Sequence, residues 1–301
     1  MRILVMGGSY FFGRVFTMLA AAQNEVTVVN RGTWSMEEFG AECIRADRHD
    51  RKAMGAVAKK AYDVVVDFCA YRQGDIAGVL EHCAAAPKQY IFISTADVYR
   101  KWTGQRLTEQ SLLETRRFGG ENGEYIWQKL LLERELVEEC SGRGIAYTSI
   151  RPAILYGPFN YAMRESVYVR LACTGQEIMC PTGAQGRFQP VYVKDAAAMV
   201  LALCGDQAAY DNAFNLAGES EDYESFLDAF AKACGGRAKI VKLPAEHEVF
   251  GNPDAFLPFP FSKEETEYYD GAKICRATGI SWISLEEGLQ KTWQVFSKLY
   301  M

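Results

Sequence analysis

Through the first half of the chain, short apolar runs alternate with segments of helical character, and few folds accept that rhythm. Arg2 to Met6, Glu25 to Val29, Glu42 to Arg45, Asp63 to Val66, Gln89 to Ser94 and Ile145 to Ile150 read as strands. Gly13 to Ala22, Arg51 to Lys60, Asp75 to Ala85 and Glu124 to Cys140 read as helices. Apolar strands separated by helices pair in parallel, with both sheet faces covered. The expected class is α/β, a doubly wound parallel sheet.

The second half loses the alternation. Pro152, Gly157, Pro158, Gly175, Pro181, Gly183 and Gly186 punctuate it. Asp195 to Leu203, Tyr223 to Cys234 and Leu285 to Leu299 read as helices, Ala213 to Leu216 and Lys239 to Leu243 as strands. Gly251 to Phe261, rich in proline and aromatics, reads as an ordered loop over an apolar site. No repeat or linker separates the halves. A smaller C-terminal lobe interleaved with the sheet domain is expected.

The 301 residues suffice for a large core without staples. With 49% hydrophobic and 24% charged residues, the chain is neither disordered nor fibrous. A net charge of −5 argues against nucleic acid or an anionic membrane as the main partner. No apolar run approaches the roughly 18 residues of a membrane span. Ile3 to Met6 is too short for a signal peptide. The nine cysteines are scattered without a C-x-x-C pair, so reduced thiols and a cytoplasmic location are expected. His49, His82 and His247 are isolated, and no residue is assigned to a metal.

Gly7-Gly8-Ser9-Tyr10-Phe11-Phe12-Gly13 ends the first strand and opens the first helix. Glycine admits close backbone approach to a diphosphate, and a helix N-terminus supplies amides and dipole, so a dinucleotide site is expected. Tyr10 replaces a middle glycine, so its side chain must turn away from the phosphates or lie beside them. An acidic residue ending the second strand is the usual mark of NAD. Asn30 and Arg31 stand there instead, which favours the 2′-phosphate of NADP unless Arg31 simply sits in solvent. Asp47 is placed to meet the adenine amino group, or is a surface turn carboxylate.

Tyr125 and Lys129 share a helix face at i, i+4. A phenol of pKa about 10 becomes a useful base when cations favour its phenolate. Thr95, just past the Gln89 to Ser94 strand, could orient a substrate hydroxyl or cap the next turn.

The glycine turn, Thr95-Ala96-Asp97-Val98-Tyr99, Tyr125-x-x-x-Lys129 and Arg151-Pro152-Ala153-Ile154-Leu155-Tyr156-Gly157-Pro158 come in a definite order. That order resembles the extended short-chain dehydrogenase/reductases, in the NAD-dependent epimerase/dehydratase family. Val191 to Ala197 and Ser284 to Leu289 resemble its later motifs, and the branch resembles the chloroplast stem-loop RNA-binding proteins. The resemblance implies a Rossmann domain over 1–157, with 188–217 returning to it, and a substrate lobe over 158–187 and 218–301. It implies Thr95, Tyr125 and Lys129 as catalytic residues. Gly7, Ser9, Tyr10, Phe11, Phe12, Gly13, Asn30, Arg31, Asp47, Lys129, Pro152 and Ile154 would bind NAD(P), with NADP favoured.

The implied activity is transient hydride transfer on a sugar or nucleotide-sugar, by an epimerase, dehydratase or reductase. The alternative is a dinucleotide-holding scaffold that recognises RNA or a protein without turnover. A small sugar-type molecule is the expected partner, with a second copy of the chain as a candidate. Ile154 and Phe188 stand where relatives acting on sugar nucleotides often carry Asn and Arg. Ala96 stands where dehydratases carry one of two acids.

Overall fold

The computed structural model describes residues 1–100, 105–252, 255–266 and 268–300. β1 (Arg2–Met6), β2 (Glu25–Asn30), β3 (Glu42–Arg45), β4 (Val64–Asp67) and β5 (Gln89–Ile93) alternate with α1 (Phe11–Ala21), α2 (Arg51–Met54) and α3 (Asp75–Glu81). The short β6 (Arg106–Leu107) and the long α4 (Gly120–Gly142) precede β7 (Ala146–Pro152) and β8 (Ile154–Tyr156). Then come α5 (Glu165–Cys173), β9 (Glu177–Thr182), β10 (Pro190–Tyr192), α6 (Val193–Leu203) and β11 (Asn212–Leu216). The chain continues through α7 (Tyr223–Ala233), β12 (Lys239–Pro244), β13 (Tyr268–Tyr269), α8 (Ala272–Thr278) and α9 (Leu285–Phe296).

Seven strands form one sheet in the order β11-β7-β5-β4-β1-β2-β3, every pair parallel. Alternation along β1 explains the two covered faces. Ile3 and Val5 join Val28, Val66 and Phe16 of α1 in one core; Leu4 and Met6 join Val65, Phe92 and Leu132 of α4 in the other. Each fully buried side chain of this size contributes about 1.5–3 kcal/mol. Cores of this extent do without disulfides, and all nine cysteines are unpaired. Strand order reverses between β1 and β4, which opens a crevice at their carboxyl ends.

A third core fills the C-terminal lobe. Phe188 stacks on Phe259 at 4.2 Å, with Phe226, Phe230 and Trp293 around them. The Tyr223 hydroxyl donates to Phe259 O at 2.8 Å and accepts from Phe259 N at 3.0 Å. The proline-rich stretch before Phe261 is thus tied into this lobe, although residues 253 and 254 lie outside the described residues.

Several boundaries differ from expectation. The helix expected over Arg51 to Lys60 ends at Met54, and a 3-10 turn over Val57–Lys59 replaces its second half. Gly55 at the break is a poor helix former, and the change of path buries both Met54 and Val57. α4 starts at Gly120, four residues before the expected Glu124. α5, β9 and α8 were not expected at all.

Candidate active site

The turn after β1 is shaped by contacts that only glycine allows. Gly7 has φ +77°, and a Cβ there would lie 2.7 Å from the Cβ of Cys69, which follows β4. A Cβ on Gly13 would come within 3.0 Å of Gly7 O and Gly8 Cα. Ser9 N donates to Gly7 O at 2.9 Å, and Thr17 Oγ1 donates to Gly8 O at 2.8 Å. The first-turn amides of α1 at Phe11, Phe12 and Gly13 have no intrahelical acceptor. This cradle at the crevice fits a dinucleotide diphosphate. The Tyr10 side chain is 51% exposed, with its ring 4.8 Å from that of Tyr161.

At the end of β2, the Asn30 side chain shapes a turn. Its Nδ2 donates to Trp34 O at 3.0 Å, and its Oδ1 accepts from Gly32 N at 2.7 Å. That turn presents an exposed Arg31. Asp47 is also exposed, and a hydrogen bond from His49 N at 2.9 Å lowers its carboxyl pKa.

α4 brings Tyr125 and Lys129 to the carboxyl end of β5. Lys129 is 2% exposed, and its Nζ donates to Ala70 O and Ile93 O, both at 2.9 Å. The ammonium lies 4.8 Å from the ring centroids of Tyr71 and Phe92, and 5.7 Å from that of Tyr125. Burial pulls its pKa down to about 8, against the attraction of Asp67 and Cys69. Two residues beyond β5, Thr95 Oγ1 donates to Asp97 Oδ2 at 2.7 Å and caps the 3-10 turn Ala96–Val98.

Here the structure departs from the expected electrostatics. From the sequence, Lys129 and a cationic nicotinamide together are expected to lower the Tyr125 pKa. Instead burial raises it above the usual phenol range, and Tyr71, Asp97 and Tyr161 add to the rise while the Thr95 hydroxyl opposes it. The lysine's hydrogen bonds go to the two carbonyls, not to the phenol. Beside Tyr125 runs an open cleft of about 520 Å³, lined by Tyr71, Arg72, Gln73, Glu121, Glu124 and Gln128.

Pro152 ends β7, and Ile154 is half-buried against the aromatic lobe. Phe188 points into that lobe's core. Arg187 is spent on Ser220 and Asp222: its Nη2 donates to Ser220 O at 2.8 Å and its Nη1 to Asp222 Oδ2 at 3.2 Å.

Sequence reasoning missed a buried polar chain below the site. Glu133, at the next i+4 step after Lys129, accepts from Arg151 Nε at 2.9 Å and Nη2 at 2.5 Å. Arg151 Nη1 donates to the Tyr99 hydroxyl at 2.8 Å, which donates to Asn215 Oδ1 at 2.6 Å. The 125, 129, 133 spacing was the available signal. It also missed Glu165, whose fully buried carboxylate accepts from Gly157 N and Asn160 Nδ2, each at 2.9 Å.

A family model described as the NAD dependent epimerase/dehydratase family matches residues 3–217. Chloroplast stem-loop binding protein of 41 kDa b from Arabidopsis thaliana is 28% identical over 283 residues, covering 86% of this chain and 70% of the relative. A UDP-glucuronic acid 4-epimerase from Bacillus cereus, solved with UDP-glucuronic acid and NAD, superposes with a TM-score of 0.77. It is 18% identical and covers 100% of both chains. The Thermus thermophilus UDP-glucose 4-epimerase, solved with NAD, has a TM-score of 0.75 at 19% identity, covering 98% of this chain and 99% of its own. At these identities the structural likeness concerns the fold.

Proposed function

The chain belongs to the NAD dependent epimerase/dehydratase family, and on that premise we propose that it is an NAD(P)-dependent oxidoreductase of the epimerase or dehydratase type, acting on a sugar or nucleotide-sugar. The observation that carries the reading is Lys129, buried beneath Tyr125 and hydrogen-bonded to the end of β5 two residues before Thr95. A buried ammonium is costly, and its placement at a phenol in an open cleft is the mark of a working site.

In this reading Gly7, Ser9, Tyr10, Phe11, Phe12 and Gly13 hold the diphosphate. Asn30, Arg31 and Asp47 meet the adenosine end; Lys129, Pro152 and Ile154 meet the nicotinamide end. The exposed Arg31 beside a carboxylate-free β2 end favours NADP. NAD bound in the Bacillus and Thermus epimerases supports a dinucleotide in this fold. Bound NAD(P) would supply the hydride acceptor and donor.

Thr95 orients the substrate hydroxyl. Tyr125, as phenolate, takes that hydroxyl's proton and later returns it. Because burial raises the Tyr125 pKa, positive charge must arrive at the site before the phenolate forms. We assign 1–157 and 188–217 to cofactor binding, and 158–187 and 218–301 to the substrate. Unpaired thiols favour a cytoplasmic location. Among the described residues no helix is long and apolar enough to cross a membrane.

The test is cofactor-linked turnover on a sugar and nucleotide-sugar panel, guided by the mass of any co-purified ligand. Full wild-type turnover in Tyr125→Phe would defeat this mechanism. No turnover on any substrate, with RNA or protein binding intact, would favour the scaffold alternative.

A further inference from the structure

The loop after β8 leaves Phe159, Tyr161 and Met163 exposed in part, yet it is not free. It folds back over the phosphate turn and is held there from two sides. On the outer side, the Tyr161 ring lies 4.8 Å from that of Tyr10 and 6.2 Å, edge-on, from that of Phe11. Tyr10 and Phe11 belong to the turn that fits the diphosphate. The Phe159 ring lies 4.7 Å from the guanidinium of Arg14, on the first full turn of α1. Arg14 is itself flanked by Phe39 at 5.5 Å and Trp34 at 6.0 Å, so its guanidinium links the loop to residues that follow β2.

On the inner side, Glu165 anchors the loop. Its Oε1 accepts from Gly157 N at 2.9 Å, and its two oxygens accept from Asn160 Nδ2 at 2.9 and 3.0 Å. Asn160 Oδ1 in turn accepts from Ala162 N at 3.0 Å. Between the anchors, Phe159 has φ +67°, a conformation unfavourable for a bulky residue and kept only where surroundings enforce it. A tyrosine in place of glycine at position 10 costs the turn some openness. Its return is a seat for Tyr161.

We propose that residues 158–164 form an aromatic strap over the dinucleotide site, with Tyr161 and Phe159 as cofactor-retaining residues. The proposal rests on the dinucleotide reading above. Dissociation then requires the Tyr10–Tyr161 and Arg14–Phe159 contacts to part. Each such contact changes an equilibrium by up to about tenfold. A retained cofactor must end each turnover in the state in which it began. Hydride taken from a substrate carbon therefore returns to carbon, and the proton taken by Tyr125 returns to oxygen. The strap thus favours a redox-neutral rearrangement over net reduction.

The test needs no substrate. Protein loaded with NADH or NADPH is chased with a large excess of the oxidised form, and loss of bound-cofactor fluorescence gives the dissociation rate. Tyr161→Ala alters an exposed side chain, so the fold survives, and dissociation should quicken about five- to tenfold. Phe159→Gly, which removes the ring and relieves the backbone, should do the same. Tyr161→Phe should stay near wild type because the ring, not the hydroxyl, makes the contact. Wild-type rates in both Tyr161→Ala and Phe159→Gly would overturn the strap while leaving the proposed function standing. Failure of wild type to bind either dinucleotide would overturn both.

Discussion

Tyr125 and Lys129 are one helical turn apart, yet solvent treats them differently. The tyrosine is 37% exposed at the cleft, whereas the lysine is 2% exposed beneath it. Tyr125→Phe therefore removes one oxygen at little cost to packing. Turnover should fall about 10²–10⁴-fold, with dinucleotide affinity nearly unchanged, in paired kinetic and binding measurements. Lys129 makes a separate prediction about stability. Its ammonium has an ordinary pKa of 10.5, lowered to about 8 by burial, so between those values the unfolded chain holds a proton the folded one has released. Stability must then rise with pH across that window, and be lost as pH falls through 8. Relative to Lys129→Met, wild type should gain on the order of 3 kcal/mol between pH 8 and 10.5 in chemical denaturation. Parallel pH profiles of the two proteins would refute the burial argument. Asp97 accepts a hydrogen bond from Thr95 and serves the turn there, so Asp97→Asn should retain most turnover. A loss of several orders of magnitude in a folded variant would make it an acid/base group after all.

At the scale of elements, the proposed preference for NADP rests on the turn after β2. Asn30 bridges Gly32 and Trp34, which fixes the path on which Arg31 projects. NADP(H) should bind more tightly than NAD(H) in calorimetry on stripped protein, and Arg31→Ala should weaken NADP alone. Equal affinities in wild type would remove the argument. Some elements of this fold are legible in the sequence and others are not. β1, β4 and β5 are apolar on both faces because helices cover both, so each stands out as an apolar run. The glycine turn and the Tyr125–Lys129 face are equally local, being spacings of seven and five residues. β8 and β10, each three residues long, owe their existence to pairing across more than thirty positions, and carry no periodicity of their own. α5 hides because its Glu165 reads as a surface acid while the fold buries it as an anchor. Lys129 was visible as a helix-face residue. Its low exposure was not, since the aromatic surround comes from Tyr71 and Phe92 on separate segments.

Across the whole molecule, one buried polar chain ties together parts that lie far apart in sequence. Glu133 comes from α4, Arg151 from β7, Tyr99 from the turn begun by Thr95, and Asn215 from β11, the strand that returns to the sheet edge after the lobe begins. Asn215 Nδ2 extends the chain to Leu107 O and Asp270 O, each at 3.3 Å. The Glu133–Arg151 pair is nearly free of solvent, with side-chain exposures of 8% and 6%. Its burial is compensated by mutual charge and by hydrogen bonds from Ser149 and to Tyr99. Removing one partner strands the other. Arg151→Met should cost about 3–5 kcal/mol in denaturant unfolding, because the Glu133 carboxylate is left buried without its cation. Adding Glu133→Leu should recover much of that loss, since an apolar pair of similar volume avoids desolvating charge. A double variant no more stable than Arg151→Met would show that the energy resides in the Tyr99 and Asn215 bonds instead. The recovered double variant should still be impaired in turnover, because Arg151 also holds Tyr99, and Tyr99 closes the turn on which Thr95 and Asp97 sit. Stability and activity would then separate: the ion pair is replaceable as a source of folding energy but not as the brace between the Tyr125 helix and the Thr95 turn.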